Sequence, residues 1–156
     1  MKTLTDNEFE NIVKKIQDQI DYEFDCKNAK VFGVMLNDNL DIEIKPIKTG
    51  VDVYDLISDS VEVFEAVNKY DLITIATCGW ASPLDKDNDE NNKIAPSQHP
   101  ERRRVRLLTS ANTNYQIGSS ISFKDNPDEP VFDYGNAKGS LADAIMELIH
   151  TAKKKG

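Results

Sequence analysis

The chain has 156 residues, with 19 basic and 27 acidic side chains and a net charge of −8. One domain spanning 1–156 is expected, because two would each be too small to bury a good core. Apolar residues at 39%, with six Phe, five Tyr and one Trp, exclude a wholly disordered chain. No apolar run approaches the roughly 18 residues of a membrane span, and the acidic balance argues against general binding to duplex nucleic acid.

The opening stretch MKTLTDNEFENIVKK is charged and helix-like, without the apolar centre of a secretory leader. With that start and two cysteines, Cys26 and Cys78, the expectation is a cytoplasmic protein without a disulfide framework. No CxxC or Cys/His cluster suggests zinc, so neither metal nor cofactor is expected.

Residues 5–24 read as an amphipathic helix. Phe9, Ile12, Val13, Ile16 and Ile20 recur at three- and four-residue spacing, and Thr5 with Glu8 forms a capping-box pattern. Residues 30–36 and 40–45 read as a β-hairpin turning through Asn37, Asp38 and Asn39. Gly50 and Asp52 introduce a helix over 53–69. The apolar run 71–78 then predicts a central strand covered on both faces.

A long loop follows over 79–101, and loops of that length in compact domains are usually functional or mobile. Strands are expected at 102–109 and 115–123, a turn-rich loop at 125–130, and a short extended piece at 131–134. Gly33 and Gly118 fall inside strands, where glycine marks a bulge or a close approach. Ser140 with Asp143 opens a last helix burying Leu141, Ala144, Ile145, Leu148 and Ile149, and 153–156 form a flexible basic tail. The fold class is therefore α+β: a five-stranded, mostly antiparallel sheet with flanking helices, in the order α-β-β-α-β-β-β-α. As topology alone, this order resembles roadblock and profilin-like domains. A deaminase-like sandwich begins the same way, but Val53-Tyr54-Asp55 and Thr77-Cys78-Gly79-Trp80 stand where its zinc ligands would be.

The least generic stretch reads TCGWASPLD, then NKIAPSQHPERRRVRLLTS, and finally GSLADAI. It resembles a group of small uncharacterised proteins of bacteriophages and actinobacteria. Those share GWA-x-PL, an acidic spacer, APS-x-HP-x-RRRV and a terminal GSLADAL-like helix. The likeness covers Thr77 to Leu148. It implies a phage-type accessory protein and no particular activity.

In a strand, Arg102, Arg104 and Arg106 project from one face, and Arg103, Val105 and Leu107 from the other. Arginine forks bind phosphate and carboxylate bidentately, so the row reads as an anion site. The alternative is pairing with the chain's own acids, such as the loop Asp85–Glu90. That acidic run fails as an EF-hand, because Glu90 and Pro96 occupy the positions that need Gly and Glu. Trp80 beside Gly79 offers a face for stacking a ring, or serves as a core or interface anchor. His99 is a candidate general base and Cys78 a candidate nucleophile; the alternative is a buried, inert Cys78 and a loop-structuring His99.

The leading expectation is a homodimeric, non-enzymatic binding module. It uses Trp80, Ser97, His99, Arg102, Arg104 and Arg106 to hold an anionic small molecule or an acidic patch on a host protein. The alternatives are a hydrolase or transferase working through Cys78 and His99 on a phosphorylated substrate, and a purely structural protein–protein domain.

Overall fold

The computed structural model describes residues 3–20, 24, 26–81, 98, 100–134 and 140–155. In chain order these form α1 (Asp6–Gln19), β1 (Ala29–Leu36), β2 (Ile42–Gly50), α2 (Val53–Asp59), α3 (Val61–Lys69), β3 (Leu72–Ala81), β4 (Arg103–Ala111), β5 (Ile117–Phe123), β6 (Asn126–Tyr134) and α4 (Ser140–Lys155). The strands make one open sheet in the order β2-β1-β3-β4-β5-β6, with every neighbouring pair antiparallel. Among the described residues, no helix is long and apolar enough to cross a membrane.

Helix α1 covers one face of the sheet, while α2, α3 and α4 cover the other. Alternation along each strand divides the core accordingly. Phe9, Ile12, Val13 and Ile16 of α1 meet Val34, Leu36 and Leu72 on one side. On the other, Val31, Ile73 and Ile75 meet Leu56, Ile57, Val67, Ile145 and Ile149. The expected α1 face and capping box are both present. Thr5 N donates to Glu8 Oε1 at 2.9 Å, and Glu8 N to Thr5 Oγ1 at 3.1 Å. β3 is central and buried on both faces through Ala76, as its β-branched run implies.

Several expectations need correction: β3 runs on to Ala81, into the stretch expected as loop, and α4 runs to Lys155, through most of the stretch expected as a tail. Helix α1 ends at Gln19 rather than reaching 24. The carbonyl of Ile20 accepts from Arg106 and that of Phe24 from Arg104, so neither backbone group continues a helical ladder. The helix expected over 53–69 is two helices. Asp52 caps the first through Tyr54 N and Asp55 N, and Ser60, itself extended, caps the second through Val63 N.

The sheet has six strands, not five. The tract expected as a loop at 125–130 belongs to β6. Pro127 and Pro130 are tolerated because β6 is an edge strand and its ladder is interrupted opposite Ser122. Lastly, Leu40 and Tyr115 are turn residues rather than strand residues, with φ of 61° and 62°.

Both strand glycines mark close approaches. A Cβ at Gly33 would lie 2.5 Å from the ring of Tyr70, and one at Gly118 would lie 3.1 Å from Phe9 and Tyr134.

Candidate functional site

The β3–β4 register fixes the site. Trp80 stands opposite Arg104 and Cys78 opposite Arg106. Directly opposed residues of an antiparallel pair share a face, so these four side chains lie on the α1 side of the sheet. The guanidinium carbons of Arg102 and Arg104 each lie 4.9 Å from the centre of the Trp80 ring. Trp80 is 38% exposed, so it is no core anchor; it is a half-open platform carrying two cations. Arg104 Nε also donates to Phe24 O at 2.6 Å.

Arg106 differs from its two neighbours in the row. It is 2% exposed, and its Nη1 donates to Ile20 O at 3.1 Å. It lines a cavity of about 600 Å³ between the end of α1 and strands β1 and β2. Lys30 lines the same cavity, with Ile20, Phe32, Ile44 and Pro46 as apolar wall. Helix α1 is held over this region by Gln17, whose Oε1 accepts from Ser120 Oγ at 2.6 Å and whose Nε2 donates to Ser122 Oγ at 2.8 Å. Ser122 is the β5 partner of Arg106.

Arg103 is on the opposite face, as the strand alternation requires. It forms a two-point bridge to Asp125, at 2.9 and 2.5 Å, and lies 4.0 Å over the Phe123 ring. The bridge holds the Asp125 carboxyl below the ordinary carboxylate range and raises Arg103, the paired hydrogen bonds being the main cause in each. Self-neutralisation by the chain's own acid is thus real for Arg103, and its partner is Asp125.

Cys78 is bonded to Cys26, with Cα atoms 5.6 Å apart. That corrects the reading of two unlinked cysteines. It also removes Cys78 as a thiolate nucleophile in this state, because a disulfide sulfur has no proton to lose. Ser97 and His99 lie outside the described residues, as does the acidic run 85–90. Among the described residues, no group of three or more His, Cys, Asp or Glu side chains is placed to hold a metal ion.

Sequence reasoning missed the disulfide, the cavity and Lys30. The first two depend on tertiary register. Lys30 did leave a signal: in the alternation of β1 it shares a face with Phe32 and Val34, the face on which the arginines lie.

No protein-family model, curated protein or solved structure matches this chain.

Proposed function

We propose that the chain is a small non-enzymatic binding module that takes an anionic ligand on the α1 face of its sheet. The observation that carries this reading is Trp80 with the guanidiniums of Arg102 and Arg104 both over its ring, continuing along β4 to a buried Arg106. The Trp80 ring gathers the Arg102 and Arg104 guanidiniums at one place. Phosphate and carboxylate are recognised at the edges of guanidiniums, where the donors form a fork. In a chain of net charge −8, Arg102, Arg104 and Arg106 bring three like charges close together.

An acyl- or phosphoryl-transfer role through Cys78 and His99 is not part of the proposal, because Cys78 is committed to Cys26. The test is a thermal-shift series with inorganic phosphate and nucleotides on the wild type, Arg102→Ala and Arg104→Ala. A ligand at 100 times its dissociation constant adds about 2.7 kcal/mol, which is roughly 5–10 °C for a chain of this size. The expected result is a shift in the wild type that both variants lose. No shift with any anion, or equal shifts in all three proteins, would overturn the reading.

A further inference from the structure

We propose that strand β2 is a self-association edge: it pairs antiparallel with the β2 of a second copy of this chain, about a two-fold axis at Ile44.

β2 pairs with β1 on one side and ends the sheet on the other. The hairpin fixes which of its backbone groups face outward. Asn37 N donates to Asp41 O at 3.1 Å, which makes these two a hydrogen-bonded pair. Along an antiparallel ladder, such pairs alternate with pairs whose N–H and C=O groups turn away from each other. The register runs unbroken from there, with Leu36 opposite Ile42, Val34 opposite Ile44 and Phe32 opposite Pro46. Ile42, Ile44 and Pro46 therefore turn their backbone polar groups out of the sheet. Pro46, which has no N–H, stands where β1 needs none. Among the described residues, no helix or loop backbone group bonds to this outer side. Such an edge is a template for another strand.

The opposite edge is defended. β6 carries Pro127 and Pro130, and its charged residues, Asp128, Glu129 and Asp133, are all acids, so a second β6 meets like charge. β2 instead complements itself. Centred on Ile44, the pairing sets Ile44 of one protomer opposite Ile44 of its partner, Ile42 opposite Pro46, and Glu43 opposite Lys45. The Ile44 N–H and C=O groups then bond reciprocally, and each Ile42 N–H meets a Pro46 C=O. Ile42 and Ile44, half-buried in the single chain, bury further apolar surface in the contact. On the other face Glu43 and Lys45 are exposed and lie 3.5 Å apart within one strand. Across the axis each also meets its opposite charge, which stabilises facing residues of a strand pair. Centring the pairing on Glu43 or on Lys45 would set like charges face to face, so charge selects the register. The contact is isologous and closes on itself, so it stops at a dimer.

Sedimentation velocity over a concentration series tests this. The samples are the wild type, Glu43→Lys, Lys45→Glu, an equimolar mixture of those two variants, and a chain carrying both changes. Both positions are exposed, so the exchanges leave the core untouched. The wild type should dimerise. Each single variant should associate at least about ten-fold more weakly, because like charges then face each other on both sides of the axis. The mixture should recover wild-type association as a heterodimer, since one chain then presents ammonium groups and the other carboxylates. The doubly changed chain should dimerise as the wild type does. A wild type that stays monomeric up to about 1 mM would overturn the proposal. Single variants that dimerise as well as the wild type would overturn it too, as would a mixture no more associated than its parts.

Discussion

Asn37 and Asn112 close two hairpins with the same hydrogen-bond set. In each, the side-chain Oδ1 accepts from the backbone N–H groups two and four residues on: Asn39 and Asp41 in one, Asn114 and Gln116 in the other. The Nδ2 donates to the side chain four residues on. The residue three positions on, Leu40 or Tyr115, has a positive φ. Asn37 is exposed, whereas Asn112 is 4% exposed. Asn112→Ala removes the acceptor of two part-buried N–H hydrogen bonds and should cost about 1–3 kcal/mol. Asn37→Ala exposes the same groups to water and should cost less. Urea unfolding of the two variants measures the difference.

The Cys26–Cys78 bond spans 52 residues of sequence. A closed loop of that length restricts the unfolded chain by about 4 kcal/mol in the chain-entropy account. Reduction, or the paired Cys26→Ser and Cys78→Ser changes, should lower Tm by roughly 8–16 °C. Disulfides persist in oxidising compartments and are uncommon in a reducing cytoplasm. Alkylation and mass spectrometry of the protein taken from its own cells report which state it holds there.

Tyr70 lies flat against Gly33, where an added Cβ would come within 2.5 Å of its ring. Gly33→Ala should therefore destabilise by about 1–3 kcal/mol, the usual cost of overpacking. Tyr70→Leu in the same chain should recover part of that loss. A double-mutant cycle by chemical denaturation measures the coupling.

Acid should weaken the Arg103–Asp125 bridge. The folded pKa of Asp125 is depressed, first by hydrogen bonds from Arg103. Its contribution to stability is therefore present above the unfolded-state value and lost as pH falls through the folded one. Glu62 is depressed in the same sense, first by a backbone hydrogen bond and then by Ser60 and Lys48. Both carboxyls are exposed, so the effect is small. In acid titrations of Tm, Asp125→Asn should show a shallower fall below the ordinary carboxylate range than the wild type.

Local patterns in the sequence carried much of the architecture. The three- and four-residue spacing of Phe9, Ile12, Val13 and Ile16 marks α1, and the unbroken run through Ile73 and Ile75 marks the central strand. Alternation placed Arg104 and Arg106 on one face and Arg103 on the other, as the β3–β4 register has it, whereas Arg102 precedes β4 and lies over the Trp80 ring from there. What was illegible depended on distant partners. Pro127 and Pro130 read as loop residues because their tolerance in β6 requires knowing that it is an edge. Ser60 divides a continuous apolar pattern because it caps α3, and periodicity does not register a cap. The bond between Cys26 and Cys78 depends on where α1 delivers the chain over β3. The repeated pattern Asn37-x-Asn39-Leu40-Asp41 and Asn112-x-Asn114-Tyr115-Gln116 was present in the sequence and would have moved Leu40 and Tyr115 into turns.

The central claim is that the α1 face around Trp80 and the β4 arginines binds an anion. Its most direct test is amide chemical-shift mapping during titration with inorganic phosphate and nucleotides. The account expects shifts concentrated at Gly79–Ala81 and Arg103–Arg106, together with the Trp80 indole N–H, and their loss in Arg104→Ala. Shifts confined to other elements, or none with any of these anions, would contradict it.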